Sequence, residues 1–266
     1  MQLHTKSLGT GAGAPLAILH GLFGMLDNWQ TLARRWAERR RVILVDQRNH
    51  GRSPHAPAMG YREMATDLAE TLDALHVTHV DVLGHSMGGK TAMQFALDNP
   101  ARVRRLLVVD MAPRAYASGH DEIIAAMRSL NVAEAESRTA LEEQLAARVP
   151  DAGTRLFLLK NLRRRSAGGY AWRLNLDVIE ATYAEILASV SGEPWRGRAT
   201  FVRGGASPYV RDADEPGIRE LFPNARLVTV PGAGHWVHAE APDVMLEIVE
   251  RALEGREPRG GASGRL

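Results

Sequence analysis

Residues 80–93 read "VDVLGHSMGGKTAM". An apolar run ends at Gly84, Ser86 follows two residues later, and helix-forming sequence begins at once. Gly84-His85-Ser86-Met87-Gly88 fits the pattern G-x-S-x-G at a strand-to-helix junction, where a serine is presented as a nucleophile. The reason for the pattern is steric. A serine in a strained turn brings strand and helix close together, so the residues two before and two after it must be small. The helix behind aims its first N–H groups at the serine, where negative charge would develop. Alone, the pentapeptide is a glycine-rich turn; the flanking strand and helix make Ser86 the candidate nucleophile.

The same rhythm extends in both directions. The runs "PLAILHG", "RVILVDQ", "VDVLGHS", "RLLVVDM", "ATFVRGG" and "ARLVTVPG" are near-continuous apolar segments, as expected of parallel strands covered on both faces. Between them lie helical patterns such as "DNWQTLARRWAE", "YREMATDLAETLDALH" and "KTAMQFALDNP". This alternation predicts an α/β fold with a mostly parallel central sheet flanked by helices. "QLHTKSLG" reads as an extra edge strand.

Residues 112–196 break the rhythm with "DEIIAAMRSL", "TALEEQLAARV", "TRLFLLKNLRRR" and "NLDVIEATYAEILASV", and contain no convincing strand. They are expected to form a helical cap, inserted after the strand ending at Asp110, over the strand ends where open α/β sheets bind ligands. The core is then 1–111 with 197–255. Residues 256–266, rich in glycine and arginine, are expected to be a disordered tail.

Composition excludes several classes. With no cysteine among 266 residues, thiolate nucleophiles, thiolate metal sites and disulfides are ruled out. A formal charge of +2 with scattered basic residues gives no nucleic-acid footprint. No apolar stretch is long enough to span a bilayer or to resemble a signal peptide, so a cytoplasmic protein without membrane insertion is expected.

A serine nucleophile needs a base, an oxyanion hole and an acid. His235 follows the last apolar run in "VPGAGHWVH", after a glycine turn able to bring an imidazole to Ser86. His238, His20, His50 and His85 read as packing or loop-holding residues. For the oxyanion, Met87 N–H follows the nucleophile, and the glycine-marked loop "HGLFG" offers Leu22 N–H, with Phe23 in reserve. Asp46 and Arg48 in "DQRNHGRS" read as framework.

The chain here resembles the α/β-hydrolase family across nearly its whole length outside the tail. The family most often places its acid in a loop after the next-to-last strand; in that loop, "GGASPYV", Ser207 stands where the aspartate is expected. Asp212 and Asp214 follow, but read as the polar start of a helix. Some members use an acid one strand earlier, which points to Asp110 in "VVDMAP", with Asp177 as an outsider. "HGLFG", "DQRNHGRS", "GHSMGGK", "VVDMAP", "FLLKNL", "GGASPYV" and "GAGHWVHAEAP" together look like YbfF-type esterases and their mitochondrial abhydrolase-domain relatives. That resemblance implies hydrolysis of short to medium acyl esters and of acyl-CoA thioesters. Arg163-Arg164-Arg165 departs from it and reads as a solvated helix end rather than a CoA-phosphate site.

The expected mechanism is nucleophilic attack by Ser86, with His235 as base and Asp110 orienting it, and requires neither metal nor organic cofactor. Phe157, Trp172 and Leu174 are candidates for the acyl pocket, although residues at helical spacing are more often core. The partner is a small acyl ester or thioester; one chain does not determine the oligomeric state, and a monomer or weak dimer fits. Ser86 argues against dehalogenases and epoxide hydrolases, which use aspartate. A C–C bond hydrolase, a cofactor-free perhydrolase and a ligand-binding protein on the same scaffold are the rival readings.

Overall fold

In the computed structural model, residues 1–256 are described; the tail expected over 256–266 lies, beyond Arg256, outside the described residues. In chain order, strand β1 (Thr5–Leu8) precedes β2 (Leu16–Leu19), helix α1 (Gln30–Ala37), β3 (Val42–Val45) and α2 (Tyr61–Ala74). Next come β4 (Val80–His85), α3 (Met87–Asp98) and β5 (Val103–Val109). An intervening region carries α4 (Asp121–Ser129), α5 (Arg138–Ala146), α6 (Ala152–Leu159), β6 (Leu162–Arg164), β7 (Tyr170–Trp172), α7 (Leu176–Ala181) and α8 (Tyr183–Leu187). The chain then returns as β8 (Arg198–Gly204), α9 (Glu215–Leu221), β9 (Ala225–Val230), α10 (Val237–Glu240) and α11 (Pro242–Glu254).

Seven strands form one sheet in the order β1-β3-β2-β4-β5-β8-β9. All pairings are parallel except β1 with β3, at the edge where the amphipathic strand was expected. Every residue of β2, β3 and β4 is buried, because helices cover both faces. Alternate side chains therefore feed two cores. Ala17, Ile43, Val82 and Val108 face one with α2 and α3; Ile18, Leu44, Leu83 and Leu107 face the other with α1 and α11. Each fully buried aliphatic side chain contributes about 1.5–3 kcal/mol. Helix α11 opens on Pro242 and stops at Gly255, whose φ of +77 provides the left-handed cap.

The region between β5 and β8 corrects one expectation. It contains a strand pair, β6–β7, in antiparallel register Leu162↔Trp172. Arg163 and Arg164 lie on strand β6 and Arg165 in the turn that follows; all three are exposed and none ends a helix. Helix α6 stops at Leu159, and Gly168 and Gly169, with φ of +88 and +65, reverse the chain. A Cβ on Gly169 would lie 1.9 Å from Ala133 O, so glycine is needed for both the turn and the packing. Two helices of this region, α5 and α6, start on side-chain caps: Ser137 accepts from Ala140 N (3.1 Å) and Asp151 from Thr154 N (2.6 Å).

Candidate active site

Ser86 leaves β4 in a left-handed conformation, φ 55° and ψ −122°. For a residue other than glycine this costs about 1–3 kcal/mol and persists only where the surroundings enforce it. Here Ser86 N donates to Val109 O (3.0 Å), while Ser86 O accepts from Gly89 N (2.8 Å) and Lys90 N (3.2 Å). Strand and helix cross in direct contact. A Cβ on Gly84 would sit 2.0 Å from Gly88 O, and one on Gly88 2.5 Å from both Leu19 O and His20 O.

Strand β5 runs beside β4, with His85 opposite Val109, so Ser86 and Asp110 emerge from neighbouring strand ends. Asp110 is also left-handed (φ 50°) and is fully buried. Its Oδ1 accepts from Gly204 N (3.0 Å) and its Oδ2 from His235 Nδ1 (2.7 Å). The Ser207 hydroxyl donates to the same Oδ2. His235 lies in the loop after β9, stacked on the Tyr209 ring (centroids 3.8 Å apart), and its carbonyl accepts from His85 Nε2 (2.9 Å). With Nδ1–H donating to Asp110, the tautomer that this bond selects leaves the lone pair on Nε2. The alternative acids lie elsewhere: Asp177 pairs with Arg128 and Asp212 with Arg203, both carboxylates largely exposed.

The loop after β2 is held by two neutral imidazoles. His20 Nδ1 donates to Gly21 O (2.8 Å) while its Nε2 accepts from Gln47 N (3.0 Å). His50 Nδ1 donates to Arg48 O (2.9 Å) and its Nε2 accepts from Phe23 N (3.2 Å). Burial pushes their pKa values down to about 4 and about 3, respectively, which keeps each ring an acceptor at one nitrogen. The Phe23 amide is thus engaged. Among the described residues no acceptor takes Leu22 N–H, and Met87 N–H opens α3, where helix amides lack intrahelical partners. Asp46 accepts from Leu26 N and Arg52 N, and Arg48 forms a double hydrogen bond with Asp67, so both hold loops.

Two cavities meet at Ser86. One, about 270 Å³, lies between α3 and the β5–β8 region; Leu22, Met87, Met111, Ile186 and Tyr209 line it. The other, about 380 Å³, opens on the His235 side and is lined by Phe157, Leu158, Ile123, Trp236 and His238. Phe157 therefore faces the site, whereas Leu174 is core and Trp172 packs against the core. His238 stacks on Trp29 at 4.2 Å between ring centres, in keeping with a packing residue.

Three residues at this site were not visible as such in the sequence. Ser207 touches Asp110, Asn161 Nδ2 donates to Phe23 O (2.7 Å) in the loop after β2, and Lys90 lines the smaller cavity while buried. Each nevertheless lies in a stretch the sequence had marked: Ser207 in "GGASPYV", where an aspartate was expected, Asn161 in "FLLKNL" and Lys90 in "GHSMGGK".

The match of residues 14–242 to the α/β-hydrolase-fold family model covers most of the chain. The chain is 42% identical over 247 residues to the sn-1-specific diacylglycerol lipase ABHD11 of Mus musculus, covering 90% of this chain and 80% of that protein. It is 38% identical over 241 residues to the esterase YbfF of Escherichia coli K12, covering 90% and 93%. A solved marine microorganism esterase superposes with a TM-score of 0.91 at 42% identity, covering 95% of this chain and 98% of that one. On this sheet order, elbow and likeness, the chain belongs to the α/β-hydrolase family.

Proposed function

We propose that the protein is a serine hydrolase that cleaves carboxylic esters of short to medium acyl chains, and acyl-CoA thioesters, through an acyl-enzyme on Ser86. The coarser class, a carboxylesterase-type hydrolase, is that of its relatives, an esterase and a diacylglycerol lipase. The observation that carries the catalytic assignment is the 2.7 Å bond from His235 Nδ1 to a buried Asp110, with Ser86 and His235 lining one cavity.

In this mechanism Ser86 Oγ attacks the acyl carbonyl as His235 Nε2 takes its proton, and Asp110 holds the imidazole tautomer and stabilises its charge. Leu22 N–H and Met87 N–H receive the oxyanion. His235 then gives the proton to the leaving oxygen, so the leaving group departs on the His235 side, into the larger cavity. The acyl group occupies the smaller one. Water deacylates the serine through the same histidine. The residues spanning 112–196 act as a cap over the core of 1–111 and 197–255.

The test is fluorophosphonate labelling of wild type and Ser86→Ala, with turnover of p-nitrophenyl butyrate and a butyryl thioester. Labelling and turnover that both vanish in the variant support the reading. A labelled serine without multiple turnover would make the protein a binder on a hydrolase scaffold, and preference for a vinylogous diketone would make it a C–C hydrolase.

A further inference from the structure

Lys90 stands four residues after Ser86 on α3, about 6 Å further along the helix axis, and lines the smaller cavity while 1% exposed. Two of its three N–H donors go to backbone oxygens at the C-terminal end of α8: Leu187 O at 3.2 Å and Ala188 O. The ammonium also lies over the rings of Tyr116 (4.8 Å) and Tyr61 (5.4 Å). Among the described residues no carboxylate pairs with it, and no aspartate or glutamate lines the cavity. The other cation of the cavity, Arg114, is matched by Asp214 at 2.7 Å, so that carboxylate is engaged by arginine and not by Lys90.

A buried ammonium without an anion is costly, and its charged form weakens accordingly. Desolvation, with Arg114 nearby, brings the Lys90 pKa down to about 7. A carboxylate arriving in the cavity would reverse both effects by pairing with the ammonium in a water-poor site. The remaining walls are suited to a short methylene chain: Leu22, Met87, Met111, Ile186 and Leu187. At about 270 Å³ the space sits just below the roughly 300–1,000 Å³ of small-ligand sites, so the chain must be short.

We infer that the cavity between α3 and the cap receives a short acyl chain ending in a carboxylate, and that Lys90 determines this specificity by meeting that carboxylate. This rests on the esterase reading of Ser86. The substrates are then half-esters or half-thioesters of dicarboxylic acids. Ser86 Oγ bonds to the esterified carbonyl, the C–O or C–S bond to the leaving group breaks, and water releases the diacid; the free carboxylate takes no part in bond changes.

The experiment compares kcat/KM, by pH-stat at pH 7, for the monomethyl half-esters of succinate, glutarate and adipate with neutral isosteres that end in an isopropyl group. For glutarate the isostere is methyl 5-methylhexanoate. Wild type is expected to prefer the half-ester in at least one pair, and Lys90→Met to lower that preference at least tenfold. A wild-type preference for the neutral ester throughout overturns the proposal, whether or not the variant folds. So does an unchanged ratio in Lys90→Met with parallel losses on both esters, which would make Lys90 a staple between α3 and residues 187–188. Wild type inert toward every ester, and unlabelled by fluorophosphonate, would overturn the esterase reading itself.

Discussion

The hydroxyl of Ser207 donates a hydrogen bond to the carboxylate of Asp110, joining the loop after β8 to the end of β5. Ser207 occupies the loop position where the family most often carries its acid, and the two strands are paired neighbours. The carboxylate that contacts His235 thus comes from the strand beside the one whose loop carries Ser207. Gly204 N donates to the other carboxylate oxygen, so Asp110 is held from the β8 side as well as by His235.

Asp110→Asn is expected to lower kcat/KM for p-nitrophenyl butyrate by about 10⁴-fold with the fold retained, as loss of a triad acid does. Adding Ser207→Asp to that variant should restore at least tenfold of the lost rate. Equal rates in wild type and Asp110→Asn would remove Asp110 from the mechanism.

Gly88→Ala places a methyl 2.5 Å from two backbone oxygens at the end of β2. Overpacking of this kind costs about 1–3 kcal/mol, and here it must also tilt α3 away from Ser86. Urea denaturation should show the loss of stability, and titration with a fluorophosphonate should show slower labelling. A variant with native stability and labelling rate would mean that the crossing has slack.

Asn161 ties residues beyond α6 to the loop proposed to hold the oxyanion, through Phe23 O, and is fully buried. Asn161→Ala leaves that carbonyl without its partner, a loss of about 1–3 kcal/mol. A fall in kcat of roughly tenfold with little change in KM is the expected result, since the loop's amide then points less well at the oxyanion. A change confined to KM would place the residue in substrate binding instead.

Stability should fall steeply in mild acid. Desolvation lowers the pKa of His20 to about 4, of His50 to about 3 and of His238 to about 4, and carries His85 well below 6.5. Unfolding returns each ring to about 6.5, so between the two values the unfolded chain binds more protons. Their contribution is complete above about pH 6.5 and is lost as the pH falls toward 4. Unfolding free energies from urea titrations at pH 7 and 4.5 should differ by several kcal/mol. His238→Phe keeps the stack on Trp29 and removes a buried Nδ1 without a partner, so the slope should become shallower by up to one proton. An unchanged slope would mean that His238 is not among the rings that resist protonation.

Much of the molecule was legible in its residue order because the deciding features are local. Apolar runs bounded by glycine, aspartate or serine mark buried parallel strands wherever they occur, and Gly84 and Gly88 are needed by a crossing only a few residues long. The β6–β7 pair was missed although Gly168 and Gly169 announce a reversal, because the arginines before them continue a helical pattern and turn chemistry prevailed over it. His50 taking up the Phe23 amide, while Leu22 N–H has no acceptor among the described residues, depends on residues 27 apart in the chain.

The sequence by itself determined the sheet, the elbow at Ser86 and a histidine loop at His235, since strand, turn and helix signals are carried by neighbouring residues. Only the tertiary structure decided which carboxylate meets His235, that Ser207 touches it, and that Lys90 lies buried with no counter-ion among the described residues. Those are relations between side chains up to 125 positions apart, and pairing, burial and desolvation exist only once the sheet has brought the strand ends together.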